Sequence, residues 1–344
     1  MSSIPLTTSM SREAAESPHV VRRQLAENAV NAMRIGAMLR QMNPRAVVTC
    51  ARGSSDHAAT YAKYLIETLT KTITSSAAPS VTSVYDASPD MRGILFIAIS
   101  QSGKSPDLLA AVEHAKHRGA FVLALCNSTT APLANAADAL LPLHAGPETS
   151  VAATKTFIAS LSAIAQLLAS WTQSRELSNG LASAPDELER AWSCDWSGAV
   201  PLLAGALNLF VIGRGFGLGI AQEAALKFKE TCAIHAEGFS SAEVKHGPMT
   251  LVRARFPVLM FSQNDETRAG MESLAQEFVQ RRARVIVAGL HTPDALILPT
   301  VAAHPVIEPL LMIQSFYRLA NDLALERGLN PDAPPHLNKV TETV

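Results

Sequence analysis

The chain carries one short pattern twice at a fixed offset. Arg52-Gly53 follows the apolar run AVVTCA, and Arg214-Gly215 follows LNLFVIG 162 positions later. Ser100-Gln101 ends GILFIAIS, and Ser262-Gln263 ends PVLMFS, again 162 positions later. The run FVLAL at 121–125 is matched by ARVIV at 283–287 with the same spacing. Three landmarks on one offset indicate a duplicated unit of about 150 residues. The copies differ in chemistry. The first reads SQSGKS, with three hydroxyls, a glycine and a cation. The second reads SQNDET, with two acids and no glycine. A small anion is expected at the first and not at the second.

A length of 344 residues suits two domains, and 48% hydrophobic with 17% charged residues allows a sizeable core. A net charge of −1 gives no global field to attract nucleic acid or an anionic membrane. The apolar segments are short or interrupted, which argues against a membrane span. The N-terminus lacks the basic region and apolar stretch of a signal peptide. Cys50, Cys126, Cys194 and Cys232 are scattered without CxxC spacing. They read as free thiols in a reducing compartment, so a cytoplasmic location is expected.

Residues 11–42 have helical periodicity. Beyond them strands and helices alternate. The first unit reads as strand 46–50, helix 55–70, strands near 81–85 and at 93–100, a helix opened by Ser105-Pro106, strand 121–125, a short helix near 131–137, the strand ALLPL and a long helix over 151–173. The second reads as strand 208–212, helix 217–230, strand 256–261, helix 267–282, strand 284–288 and helix 308–327. Continuous Val/Ile/Leu runs between helices indicate an α/β fold of two tandem units, each a mostly parallel sheet flanked by helices. The expected organisation is an N-terminal helical segment (1–44), a first unit (45–175), a partly helical linker (176–195), a second unit (196–328) and an extended C-terminal segment (329–344).

Three constellations carry chemistry. SQSGKSPD at 100–107 lies between a strand and a helix, where open α/β sheets bind ligands. Ser100, Gln101, Ser102 and Ser105 offer donors, Gly103 permits close approach, and the N–H groups opening the helix point the same way. This suits a phosphate; neither a Walker A loop nor GxGxxG is present in it. GSSDH adds Ser54 and Ser55 at the same sheet edge. In ETSVAATKTF, Thr149 and Ser150 are placed to cap a helix. In EAALKFKETCAIHAEGFSSAEVKHGP, Glu223, Lys227 and Glu230 share one helical face. His235, Glu237, Lys245 and His246 follow closely. An acid, an ammonium and an imidazole together are what proton shuttling needs. The spacing does not match a metal site.

The motifs SQSGKSPD, SVAATK, EAALKFKE, IHAEGFSSAEVKHGP and LNKVTETV occur in that order. On them the chain resembles the sugar isomerase (SIS) family, in particular the isomerase half of glucosamine-6-phosphate synthase and the stand-alone glucosamine-6-phosphate deaminases. The resemblance implies a flavodoxin-like, three-layer fold in each half. It implies that Ser100, Gln101, Ser102 and Ser105, with Ser54 and Ser55, bind the sugar phosphate. It makes Glu230 the group that moves a proton between C1 and C2, assisted by Lys227 and supported by Glu223. His246 would open the sugar ring, reaching in from a partner subunit, so a homodimer with a shared active site is expected. Lys339 would hold the open-chain sugar or form a Schiff base with it. Val151 and Ala153 would contact the sugar. The synthase has a serine at the position of Ala153, which removes one contact, and Arg52 and Asp56 also depart from its pattern.

The implied reaction is deaminating isomerisation of glucosamine 6-phosphate to fructose 6-phosphate and ammonia, with no metal or redox cofactor. With no glutaminase half in the sequence, deamination is the expected direction. Galactosamine 6-phosphate, a fructosamine phosphate or simple aldose–ketose isomerisation would suit the same residues, as would ammonia-dependent synthesis of glucosamine 6-phosphate. A sugar-phosphate sensor is the non-enzyme alternative.

Overall fold

The computed structural model describes residues 8–87 and 89–339. The first seven residues of the N-terminal segment and the last five of the C-terminal segment lie outside the described residues, so only Lys339 of the KVTETV end is placed. In chain order the elements are α1 (Ser9–Ala15), α2 (Ser17–Met42), β1 (Ala46–Cys50), α3 (Ser54–Thr70), β2 (Thr74–Ser76), α4 (Ser80–Ser83), β3 (Ile94–Ser100), α5 (Pro106–His117), β4 (Phe121–Cys126), α6 (Pro132–Ala136), β5 (Ala139–Pro142), α7 (Lys155–Thr172) and α8 (Arg175–Trp192). They continue with α9 (Val200–Leu203), β6 (Asn208–Gly213), α10 (Leu218–Cys232), β7 (His235–Ser240), β8 (Pro257–Phe261), α11 (Arg268–Gln280), β9 (Arg284–Ala288), β10 (Leu296–Leu298) and α12 (Glu308–Glu326). The expected linker is a single helix, α8, with Pro185 inside it.

Two parallel five-stranded sheets result, ordered β2-β1-β3-β4-β5 and β10-β9-β8-β6-β7. Renumbered within each copy, both run 2-1-3-4-5, the doubly wound order whose ligand site lies at the carboxyl ends of the strands beside β1 and β3 or their counterparts. The central strands β3 and β8 are buried along their whole length. That is why they read as unbroken apolar runs.

The duplication is visible at the level of register. Val48 pairs with Phe96, and Phe210 with Val258, each 162 positions on. Gly53 and Gly215 both turn with φ near +55°, at 55° and 56°. The third landmark corrects the sequence reading. Leu95 pairs with Phe121, but Pro257 pairs with Arg284, so the offset at β4/β9 is 163. The buried residues Leu108, Ala111, Val112 and Ala115 of α5 match Met271, Leu274, Ala275 and Phe278 of α11 at that same larger offset. The extra residue therefore lies between Gln263 and Met271, in the loop that corresponds to SQSGKSPD.

Three strand assignments also change, the short edge strand β10 being one of them. Residues 80–83 form the short helix α4, and the second strand is Thr74–Ser76, paired to β1 from Val47↔Thr74. It is an exposed edge strand of Thr and Ser with one buried position, so it lacks an apolar signal. The polar stretch 235–240 is likewise an edge strand, β7, paired along β6.

The chain divides into two compact units. One comprises residues 19–148 and 155–182 with the segment from Asn338; the other comprises the residues up to Pro18 with 149–154 and 183–337. In the first, α2 lies along α7: Gln24 donates to the Ala159 carbonyl at 2.7 Å, Gln166 to that of Leu25 at 2.9 Å, and Arg40 to that of Ser170. Phe96, Val112, Val122 and Leu133 fill the core between β-sheet and α5. In the second unit, Phe210, Met260, Met271, Leu274 and Phe278 fill the equivalent space. The four cysteines are free, three of them buried. Burial pushes the Cys50 thiol up to about 12, which keeps it protonated and unreactive. Among the described residues no helix is long and apolar enough to cross a membrane.

Candidate active site

The serine-rich loop of the first unit forms at the end of β3. Gly103 adopts φ 64°, and a Cβ there would lie 2.6 Å from Cys126 Sγ and 2.8 Å from Ala131 Cβ, so only glycine fits. The loop is closed from within: Gly103 N donates to Ser100 Oγ at 3.0 Å and Lys104 N to Ser102 Oγ at 3.3 Å. Gln101, Ser102 and Ser105 stay half-exposed, and Lys104 is exposed. Ser54 and Ser55 open α3 beside it, since Cys50 at the end of β1 pairs with Ala98 of β3. Arg52 clamps the two turns together. Its Nε and Nη2 both reach Asp107 Oδ2, at 2.9 and 2.8 Å, and Asp107 also accepts from Leu108 N at 2.8 Å. The structure therefore brings the hydroxyls of both motifs to one sheet edge, with the first turns of α3 and α5.

The counterpart loop in the second unit is already occupied by an acid. Asn264, at the position of Ser102, donates its N–H to Glu308 Oε2 at 2.6 Å, and Ala303 N donates to Glu308 Oε1 at 3.3 Å. A carboxylate from the chain itself thus closes the loop of the second copy, whereas the loop of the first is closed by its own serines.

The second unit holds the carboxylate cluster. Lys227 is completely buried on α10, with its ammonium 3.2 Å from Glu223 Oε1 and 2.6 Å from Glu230 Oε2. Glu223 is also fully buried and accepts from Tyr317 Oη at 3.3 Å. Burial works against the Lys227 charge, but the Glu223 and Glu230 carboxylates outweigh it and hold its pKa above the ordinary lysine value. Glu230 is the partly exposed member, with 20% of its side chain accessible. It lines a cavity of about 390 Å3 with Leu226, Lys229, Leu329, Asn330 and Pro334. One carboxylate is thus oriented by a fixed ammonium and open to a ligand.

Other expected residues are placed differently. Thr149 and Ser150 do not cap α7, which begins only at Lys155. The carboxylate of Glu148 does so, accepting from Thr156 N at 3.1 Å and Thr156 Oγ1 at 2.6 Å. It also holds Lys339, whose Nζ lies 3.2 Å from Glu148 Oε2. Val151 and Ala153 are half-buried in the 149–154 loop. His246 is exposed on the turn after β7, before Gly247 with φ 134°. His235 begins β7 while Lys245 and His246 follow its far end, on the order of 15 Å away at the rise of an extended strand. Lys245 pairs instead with Glu277 at 3.1 Å. No group of three or more His, Cys, Asp or Glu side chains among the described residues could hold a metal ion.

The SIS domain profile matches residues 38–170 and 202–289, one match on each sheet unit. The chain belongs to the SIS domain family. A glutamine–fructose-6-phosphate aminotransferase [isomerizing] from Chlorobaculum tepidum is 32% identical over 85% of this chain and 50% of its own length. The chain spans about half the length of the curated relatives it matches. A crystal structure from Silicibacter pomeroyi DSS-3, provisionally named a phosphosugar isomerase, is 42% identical, with a TM-score of 0.91 over 95% of this chain and 100% of that one. The C-terminal domain of a glucosamine-fructose-6-phosphate aminotransferase from Francisella tularensis is 25% identical, with a TM-score of 0.85 over 95% and 98%. The motifs of this SIS chain fall within the matched residues except for LNKVTETV.

Proposed function

We propose that this SIS protein catalyses the deaminating isomerisation of glucosamine 6-phosphate to fructose 6-phosphate and ammonia. The observation that carries the reading is Glu230, a partly exposed carboxylate held 2.6 Å from a buried ammonium and opening into a cavity. Isomerisation needs one base that takes a proton from C2 and returns it to C1. A carboxylate fixed at one oxygen and accessible at the other serves both carbons with a short movement.

In this reading the Ser100–Ser105 loop, with Ser54 and Ser55, anchors the phosphate. His246, supplied by the partner subunit of a homodimer, opens the ring. Glu230 removes the C2 proton from the open-chain amino aldehyde, giving an enolamine. Returning the proton at C1 leaves an imine at C2, and water replaces nitrogen there, releasing ammonia and the C2 ketone. Lys227 keeps Glu230 aimed, and the Lys339 ammonium, tethered by Glu148, stabilises the open-chain oxygen. Water is always present as co-reactant whereas ammonia must be supplied, which favours the deaminating direction.

The test is Glu230→Gln. Turnover of glucosamine 6-phosphate, followed as fructose 6-phosphate and ammonia, should fall at least about 1,000-fold, while fructose 6-phosphate still binds within a few-fold of wild type. Wild-type protein that forms neither product from glucosamine 6-phosphate overturns the reading.

A further inference from the structure

Glu13 lies on α1, outside the residues matched by the family profile, in a stretch of sequence with no motif. Its side chain is 7% exposed. Burying a carboxylate costs several kcal/mol unless donors surround it. Here three do. Thr149 N reaches Oε1 at 2.6 Å, Thr149 Oγ1 reaches the same oxygen at 2.8 Å, and Ser150 N reaches Oε2 at 3.2 Å. Two successive backbone N–H groups on the two oxygens of one carboxylate fix the local backbone far more tightly than apolar contact would.

The helix that carries Glu13 is itself held at both ends. Thr8 accepts from Ser11 N at 3.0 Å and donates to Asn321 of α12. The Asp332 carboxylate takes Ser9 N and Met10 N, each at 2.7 Å. At the other end Gln314 of α12 donates to the Ala14 carbonyl at 2.9 Å. So α1 is a rigid post, and Glu13 is the point from which it holds residues 149–150. Val151 and Ala153 follow at once in the same loop.

We propose that Glu13 is a positioning residue, whose buried carboxylate sets the 149–154 loop so that Val151 and Ala153 meet the sugar. The inference rests on the phosphosugar reading above and on the family resemblance, which implies that Val151 and Ala153 contact the sugar. Glu13 then governs affinity for the sugar part of the substrate and leaves the phosphate anchor untouched, because the serine loop does not depend on it.

The experiment compares wild type with Glu13→Gln and with Thr149→Val, which removes one contact from the loop side and keeps the carboxylate. Each is measured for kcat and KM with glucosamine 6-phosphate, inhibition by inorganic phosphate, and thermal melting. Glu13→Gln should lower kcat/KM roughly 10- to 100-fold, chiefly through KM, with inorganic phosphate inhibiting as in wild type. Thr149→Val should move the same way by less, and Glu13→Asp should recover part of the loss. Unchanged kcat/KM per folded molecule, or equal weakening towards phosphate and sugar, overturns the proposal. If wild type does not turn over glucosamine 6-phosphate, the proposed reaction fails by itself. The ratio of fructose 6-phosphate to inorganic phosphate affinity then tests Glu13 in the same variants.

Discussion

Lys227 holds one positive charge between two carboxylates with almost no water to share it. Its raised pKa means that the charge persists through neutral pH; its stabilising effect is complete below the ordinary lysine value and is lost only as pH rises through the raised one. Replacing it with methionine removes the ammonium that lies between Glu223 and Glu230. Lys227→Met should therefore destabilise the protein by about 3–5 kcal/mol at neutral pH. The deficit should shrink on acidification, because protonating either carboxylate removes the repulsion. Urea unfolding of both proteins at several pH values checks the magnitude and the sign. The cluster was legible because its members stand three and four residues apart on one helix. Glu13 was not: it meets Thr149 from 136 positions away, and nothing local marks a carboxylate as buried. Glu148 and Lys339 meet across 191 positions and were equally hidden as a pair.

At the scale of elements, the central parallel strands and the edge strand β5 showed themselves, and the edge strands β2, β7 and β10 did not. β1, β3, β4, β6, β8 and β9 are apolar runs and were found to within a residue or so. The edge strands β2 and β7 carry Ser, His and Glu to solvent, so their sequences say turn or loop. The strand assigned to 81–85 had the β-branched residues of a strand, yet Ser80 opens a helical turn and β1 already has Thr74–Ser76 as its neighbour. The serine loop was legible in its residues but not in what limits it, namely the Cys126 and Ala131 side chains beneath Gly103. Gly103→Ala should cost about 1–3 kcal/mol from its left-handed backbone and the overlap. It should also raise KM for the phosphosugar and weaken inhibition by inorganic phosphate in parallel, the opposite pattern to Glu13→Gln. Unfolding curves and steady-state kinetics on one preparation decide it.

For the molecule as a whole, the proposed dimer makes a quantitative demand. If His246 serves the partner's site, His246→Ala and Glu230→Gln each disable both sites of a homodimer. A mixed dimer has one site with both groups intact. Equal mixing, after subunits have exchanged through mild denaturation and refolding, should restore about a quarter of wild-type activity from two inactive proteins. Sites complete within one chain would give none. The tandem organisation itself could be read from the offset alone, because equal spacing of strand ends reflects equal architecture. What the spacing concealed was its own change from 162 to 163 after Gln263.

That single residue has a consequence for how such proteins diverge. It entered a loop at the carboxyl end of a strand, and the helix beyond resumed with Met271, Leu274, Ala275 and Phe278 at the same mutual spacing as their counterparts in α5. The packing beneath never registered the insertion. Ligand-facing turns of this architecture can be lengthened, emptied of hydroxyls or plugged by an acid such as Glu308 while the interior keeps its fit. Chemistry and folding are thereby inherited separately, and a new specificity can be tried at the rim without first surviving a repacked core.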